Sequence, residues 1–574
     1  MITIRKYFVN KKSNPLWVIG FISGLNLLFM HYQILFANSL ESIIDITSIF
    51  DNFCGICFDV STIIIASYLL FLRSTKVICY FCFFTSWLWS FTNVIYSRFF
   101  HQYLTISAIE QSEGLLDNTV IKCIINSYEW TDIYYFIVLY IFIKAIGSIN
   151  LKTYSFHLRK IICLLILLFC VDVIIHACYI LPSFSFEHLR YRIHTSHINT
   201  KRYSLQPTLV HFVRGSLRTL PIEMTAIFKG KIELTKQQRK EIEEYTNYTS
   251  DTIKATTNFN PENIIFILVE SYMSFVSNLR INGKEVTPFL NSLQQDSSVY
   301  YNRYMQENVT IGESSDGQFI YLTGLLPLRS TITISQARNI SLPGLPKLLK
   351  KQSRMIIPTA ASVWRQEEMC RQYGFDNLYT NTDYEKRHGS DLNDEQVFQL
   401  AQRLDYSNNK NFFSFIITMS MHQPYIEQID STFIIPVSSA IPEDLASYLS
   451  ACHYTDYQIK KYFEHLKATG IYDKSLIIIA ADHAVHCSDF GGVSKDLPFY
   501  IINAKGLIKD NLETQKCNQI DVYPTLLDLL GIKCKWYGMG NTLLLKKHER
   551  SISDKCWDIS ELIIRSNYFS LIPN

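Results

Sequence analysis

The chain lacks a charge excess of either sign: 54 Lys and Arg against 51 Asp and Glu in 574 residues leave a formal net charge of +3. It also lacks any basic cluster interleaved with aromatics. Together these absences exclude a nucleic-acid-binding reading, which needs a one-sided basic surface. Internal repeats and low-complexity tracts are missing as well. A cleaved signal peptide is excluded because the first apolar run is too long and too closely followed by others, so it reads as an uncleaved anchor. Of the fourteen cysteines, eight lie at or before Cys178, mostly inside apolar runs, where cysteine behaves as a small hydrophobe. Cys54-x-x-Cys57 and Cys79-x-x-Cys82 have the spacing of metal or redox pairs but no flanking polar ligands. Six cysteines follow residue 360. In an oxidising compartment they leave open a disulfide such as Cys517 with Cys534, a pairing that sequence cannot assign.

What is present in abundance is apolar length, concentrated before about residue 185. Five candidate membrane spans of roughly 20 residues are expected there, at about 17–38, 53–72, 77–97, 133–149 and 161–183. Arg5, Lys6, Lys11 and Lys12 precede the first, Arg73 and Lys76 lie in the second loop, and Lys152, Arg159 and Lys160 in the fourth. The alternate loops carry Glu41, Asp45 and Asp51, then Glu110, Glu113 and Asp117. By the positive-inside rule the basic loops are cytoplasmic. Five spans with the N-terminus inside put everything after about residue 184 outside. The expected organisation is a transmembrane domain over 1–184, a juxtamembrane connector over 185–260 and an extracytoplasmic domain over 261–574.

In the last of these, strands alternate with helical segments. Thr287-Pro-Phe-Leu begins a helix with Pro in its first turn, Leu345 to Lys351 is another, Met355-Ile-Ile-Pro is a strand, and Leu445 to Thr469 is a long amphipathic helix. This alternation predicts an α/β fold with a mainly parallel sheet between helices.

Three apolar runs end on groups that carry chemistry. Ser475 to Ala481 stops on Asp482 and His483, Asn263 to Val269 stops on Glu270, and Phe412 to Thr418 leads to His422. In an open α/β sheet the carboxyl ends of the strands hold the ligands, so two carboxylates and two imidazoles converge on one rim. Mixed oxygen and nitrogen donors suit one divalent ion, manganese or zinc, with magnesium the alternative. Read singly, Glu270 equally fits a helix cap and His422 a hydrogen-bonded core histidine.

The polar cluster Gly312-Glu-Ser314-Ser315-Asp316 precedes an apolar run, which places Ser314 or Ser315 at a helix N-terminus. That position favours an anion. A serine needs a base or a metal to become a nucleophile, and no histidine is local to this one. Metal coordination is the favoured activator, which would make Ser314 both nucleophile and ligand. His388, His453, His486 and Asp489 fit cleft-lining or packing roles equally, and Asp521 reads as structural.

At these residues the chain resembles the alkaline phosphatase and sulfatase superfamily, and within it the membrane phosphoglycerol transferases of lipoteichoic acid synthase type. The resemblance covers roughly residues 263 to 545 and rests on five ordered motifs. These are Ile-Leu-Val-Glu270-Ser with Thr287-Pro-Phe-Leu, Gly312-Glu-Ser314-Ser315-Asp316, the stretch around His422, Ala481-Asp482-His483, and Gln519-Ile-Asp521-Val-Tyr-Pro524 onward. It implies Glu270, Ser314, Asp482 and His483 at the metal, Ser314 in place of the family's usual threonine nucleophile, and His422 in substrate binding or proton transfer. Where the family often has Trp-x-Arg, this chain has Trp364-Arg365-Gln366. The arginine that would hold a head group is therefore shifted by one position or lost, and Trp364 and Arg365 are the substrate-binding candidates. No Cys/Ser-x-Pro-x-Arg sequence stands at the nucleophile, which counts against sulfate ester hydrolysis.

The resemblance implies an integral membrane phosphotransferase that takes its head group from a membrane phospholipid and gives it to an envelope glycan or lipid through a phosphoserine-type intermediate. Its multi-pass anchor would lie in the cytoplasmic membrane. Rival readings keep the fold and change the donor to phosphoethanolamine, or replace transfer by hydrolysis of phosphate or sulfate esters. A non-catalytic envelope protein would have lost Ser314 or a ligand, and none is lost.

Overall fold

The computed structural model describes residues 15–147 and 211–571, apart from 38–45, 71–74, 101–102, 107–127, 213–214, 229–230, 253–259, 330, 385–390, 408–410, 424, 426–430, 439–440, 486–493, 505–515 and 545–551. The chain divides into two compact units, one comprising most of the chain up to Phe228 and the other running from Lys229 to Asn574.

The first unit contains α1 (Pro15–Ala37), α2 (Ile46–Leu70), α3 (Thr75–Phe100), α4 (Ile133–Gly147) and α5 (Ser216–Phe228). Four of the expected spans fall on α1 to α4. The fifth, 161–183, lies outside the described residues. Among those described, one helix, Val77–Arg98, is long and apolar enough to cross a membrane, while Ile19–Leu35 and Asn52–Ser67 are shorter apolar stretches. Cys79 and Cys82 are buried beside Ile63, Ile78 and Phe83, as small hydrophobes are. Two buried ion pairs stand inside this unit. His211 Nε2 lies 2.8 Å from Glu223 with both side chains buried, and Arg98 holds Asp132 through two bonds of 2.7 and 2.9 Å.

The second unit begins with α6 (Lys236–Thr252) and is built on an eight-stranded sheet in the order β10-β4-β9-β8-β1-β7-β5-β6. Its strands are β1 (Asn263–Val269), β4 (Val299–Gln306), β5 (Gln352–Ile356), β6 (Asn377–Tyr379), β7 (Phe412–Ile417), β8 (Ser475–Ala481), β9 (Leu497–Ile502) and β10 (Cys517–Asn518). β2 (Arg280–Ile281) and β3 (Lys284–Glu285) make a separate hairpin. Helices α7 (Pro288–Leu293), α8 (Ser314–Thr323), α9 (Thr333–Ala337), α10 (Leu345–Leu349), α11 (Gln366–Tyr373), α12 (Asp394–Ser407), α13 (Glu443–Ala468), α14 (Val522–Leu529) and α15 (Asp554–Ser566) complete it. The central strands β8, β1, β7, β5 and β6 run parallel, and β9 is antiparallel to both β8 and β4. Every residue of β1, β7 and β8 is buried. That explains their uninterrupted apolar sequences, since a strand covered on both faces has no solvent side to alternate with.

The open pairing of Cys517 with Cys534 is corrected: both are free thiols. Cys517 is buried in β10, and the Cys534 Sγ donates instead to the Trp536 carbonyl at 2.9 Å.

Candidate metal centre and nucleophile

Strand register brings the three chemical runs together. Val269 pairs with Ala481 and Leu268 with Ile417, so β8, β1 and β7 end side by side. Glu270, Asp482 and the loop to His422 leave the sheet at the same level. The turn after β1 is tight: Ser271 has φ 49°, and its N–H donates to Asp482 Oδ1 at 2.8 Å. The Glu270 N–H donates to Thr418 Oγ1 at 3.0 Å, tying β1 to the end of β7. Ser271 Oγ donates to Glu270 Oε1 at 2.9 Å.

Glu270, Asp482 and His483 are buried, and one donor atom from each lies within 4.8 Å of the others. His483 Nε2 stands 3.4 Å from Glu270 Oε1 and 3.6 Å from Asp482 Oδ2. Its Nδ1 lies 2.8 Å from the Ala484 carbonyl. A carbonyl only accepts, so Nδ1 carries a proton and Nε2 is the nitrogen that faces the carboxylates, free to act as a metal ligand once its own proton is lost. Asp482 Oδ1 accepts from the Ser271 and His483 N–H groups, whereas its buried Oδ2 has no hydrogen-bond partner. A buried carboxylate oxygen without a donor is costly unless a cation faces it. The donor set and this orphaned oxygen together fit a divalent ion.

The electrostatics agree. Burial, then the Glu270 charge, pushes the Asp482 carboxyl up to about 8. Burial also opposes charge on Glu270, but the hydrogen bond and charge of His483, with help from His422, hold its carboxyl below the usual range. Burial opposes a charge on His483 too, yet Asp482, Glu270 and Glu313 outweigh it and raise its pKa. Two carboxylates and an imidazole that shift one another this strongly mark a candidate functional site.

Ser314 is the first residue of α8, after Glu313 at φ 45° and ψ −121°. Its Oγ lies 3.1 Å from His483 Nε2 and 3.4 Å from Glu270 Oε2. Ser315, the other candidate, donates its Oγ to the Gly312 carbonyl at 2.6 Å and is engaged within the loop. His422 is half-buried beyond β7, with Nδ1 2.9 Å from the Gln423 carbonyl. Trp364 and Arg365 form a turn in which both have positive φ, 49° and 51°. Arg365 reaches Glu368 at 3.7 Å. The turn abuts the serine helix through Gln366, whose Nε2 donates to Gln318 Oε1 at 2.9 Å. His453 bonds the Val286 carbonyl at 2.9 Å, and Asp521 accepts from the Asn518 and Asn541 N–H groups, a loop-holding role. His388, His486 and Asp489 lie outside the described residues.

Sequence reasoning missed the supports of the site. Thr418, quoted only as a strand end, holds Glu270. Glu307 Oε2 accepts the Ala484 N–H at 2.7 Å, and Gln519 donates to the Asp482 carbonyl at 2.6 Å while accepting the Asn308 N–H at 2.7 Å. Only for Gln519 was there a signal, its place at the head of a quoted motif.

Residues 262–532, which carry this parallel-centred sheet, the helix-start serine and the buried acid–acid–histidine set that could hold a metal ion, match the Sulfatase family. Over most of its length the chain is similar to lipoteichoic acid synthases. It is 25% identical to lipoteichoic acid synthase 2 of Bacillus subtilis over 502 residues, 80% of this chain and 73% of the relative. It is likewise 25% identical to lipoteichoic acid synthase of Staphylococcus aureus over 537 residues, 85% of this chain and 78% of that one. Among solved structures, the integral membrane lipooligosaccharide phosphoethanolamine transferase A of Neisseria meningitidis shares the fold, with TM-score 0.51 and 12% identity over 90% of this chain and 95% of that one.

Proposed function

We propose that this protein is a membrane-anchored phosphotransferase that moves a phosphoglycerol-type head group from a membrane phospholipid to an envelope glycan or lipid acceptor. The observation that carries the reading is Ser314 Oγ at 3.1 Å from His483 Nε2 and 3.4 Å from Glu270, in a chain related over most of its length to lipoteichoic acid synthases. Glu270, Ser314, Asp482 and His483 would hold one divalent ion, manganese or zinc, with magnesium the alternative. When bound, such an ion supplies Lewis acidity that lowers the pKa of a coordinated hydroxyl and polarises a phosphoryl oxygen.

In the proposed first half, Ser314 Oγ attacks the lipid phosphorus. The new bond is Oγ–P, and the bond broken joins phosphorus to the diacylglycerol oxygen. Glu270, 3.4 Å from Oγ, would take the serine proton, and His422 would protonate the departing oxygen. In the second half an acceptor hydroxyl oxygen bonds the phosphorus as the Oγ–P bond breaks, His422 taking the acceptor's proton and Glu270 returning one to Oγ, which restores Ser314. Trp364 and Arg365, on the turn beside the serine helix, are the residues assigned to the head group. Five spans over 1–184, a connector over 185–260 and an outer domain over 261–574 would place this chemistry on the extracytoplasmic face of the cytoplasmic membrane, where a lipid donor is within reach.

The test is to give the full chain in lipid vesicles head-group-labelled phosphatidylglycerol, head-group-labelled phosphatidylethanolamine or an aryl sulfate, with manganese supplied. We expect label from phosphatidylglycerol to stay on Ser314 when acceptor is withheld. Ser314→Ala should abolish turnover, and Ser314→Thr should keep part of it. Consumption of the ethanolamine lipid or the aryl sulfate alone would overturn the donor assignment. Normal turnover in Ser314→Ala would overturn the covalent route.

A further inference from the structure

We infer that Asp316 is a positioning residue for the attacking hydroxyl, an inference that rests on reading Ser314 as the nucleophile. Asp316 is wholly buried in the first turn of α8. A single carboxylate oxygen, Oδ2, gathers the Thr310 N–H at 3.0 Å, the Thr310 hydroxyl at 2.7 Å and the Gly312 N–H at 3.1 Å. The carboxylate thereby folds the loop before the helix back onto the helix's own first turn. The approach is so close that a Cβ on Gly312 would meet Asp316 Oδ1 at 2.4 Å.

The loop needs that restraint. Glu313, the residue immediately before Ser314, has φ 45° and ψ −121°, a backbone state that a non-glycine residue keeps only where its surroundings over-determine it. Downstream, Gly317 packs so tightly on the β8 terminus that a Cβ there would meet the Asp482 carbonyl at 2.6 Å. Ser314 therefore sits between a turn fastened by Asp316 and a helix wall fastened against Asp482. Without the Asp316 carboxylate the 310–313 loop can relax, and Oγ leaves its place 3.1 Å from His483 Nε2. Misplacement of a reacting group by about 1 Å costs on the order of 100-fold in rate.

The experiment measures single-turnover labelling of Ser314 by phosphatidylglycerol in the manganese-loaded full chain, alongside donor affinity, metal content and thermal melting. Asp316→Ala should slow labelling by roughly 100-fold with donor affinity and metal content unchanged. Asp316→Asn, which keeps an oxygen for the three donors, should recover most of that loss. A purely structural role predicts parallel losses of affinity, metal and rate, and no recovery by asparagine. A folded Asp316→Ala protein that labels at the wild-type rate, or an asparagine variant as slow as the alanine one, overturns the inference. If Asp316→Ala does not fold, Thr310→Val decides: it removes one donor, and an unchanged labelling rate overturns the inference equally. Failure of the wild-type protein to label at all overturns the nucleophile reading itself, and the inference with it.

Discussion

At the scale of single residues, the two oxygens of Asp482 divide the work of the site. Oδ1 is committed to the N–H groups of Ser271 and His483, and Oδ2 faces inward with no hydrogen-bond partner. Asp482→Asn keeps the backbone contacts available to one oxygen but removes the charge that a cation needs. We expect the variant to stay folded and lose tight metal binding, as measured by metal analysis after dialysis. Stripping the wild-type protein with a chelator should lower its melting temperature, because a metal at 100 times its Kd adds about 2.7 kcal/mol to the folded state; retention of the metal by the variant would exclude Asp482 as a ligand. Several buried carboxyls tie stability to pH, among them one remote from the site, Asp456. Burial pushes Asp456 up to about 7, against the pull of the Leu290 and Phe289 N–H groups. With its folded pKa above the ordinary 3.8, its contribution to stability is complete below about pH 4 and is lost as pH rises through 7. Thermal melts across that range should show the fall, and Asp456→Asn should make it shallower by its share, the other raised carboxyls such as Asp405 and Asp521 keeping theirs. Which acids would chelate and which merely cap a helix was legible only for those at strand ends. Asp456 lies mid-helix in α13, and nothing in its neighbours announces that it caps α7 from across the fold.

Elements were readable in proportion to their burial. The apolar runs at 263–269, 412–418 and 475–481 are strands within a residue of those limits, and the expected helix over 445–469 is α13, Glu443–Ala468. Strand order was not readable, because a run buried on both faces carries no mark of its neighbours, and neither was the antiparallel insertion of β9 between β4 and β8. The docking of α8 was equally silent, since it depends on an absent side chain: Gly317 reads as an ordinary weak point in a helix until the Asp482 carbonyl is seen against it. Gly317→Ala should improve intrinsic helix propensity by about 1 kcal/mol and still destabilise the protein, because overpacking of a tight contact costs typically 1–3 kcal/mol. The strain falls on the Asp482 backbone, so weaker metal binding should accompany the lower melting temperature. A stabilised variant with unchanged metal affinity would refute this account of the contact.

For the whole molecule, the distribution of charge bears on orientation. The proposed topology puts the basic loops around Lys11, Arg73 and Arg159 inside. Arg98, at the end of α3, would then lie at the outer surface, against the positive-inside trend. Its charge is answered locally: Asp132 holds the guanidinium at 2.7 and 2.9 Å, and Glu129 at 3.3 Å. Trp130 and Tyr128 stand exposed in the same segment, as aromatic side chains do where a bilayer meets water. Arg98 is one basic residue against the several in those loops, so the Lys and Arg count of the sequence still points to a cytoplasmic N-terminus. An alkaline phosphatase reporter joined after residue 574 should therefore be active, and a reporter that works only in the cytoplasm should be silent. Asp132→Asn should lower the stability of the first unit, since removing one partner of a buried ion pair costs about 3–5 kcal/mol, without inverting the reporter pattern. Cytoplasmic activity of the reporter in the wild-type chain would overturn the odd number of spans, and with it the supply of lipid donor to Ser314 from the outer leaflet.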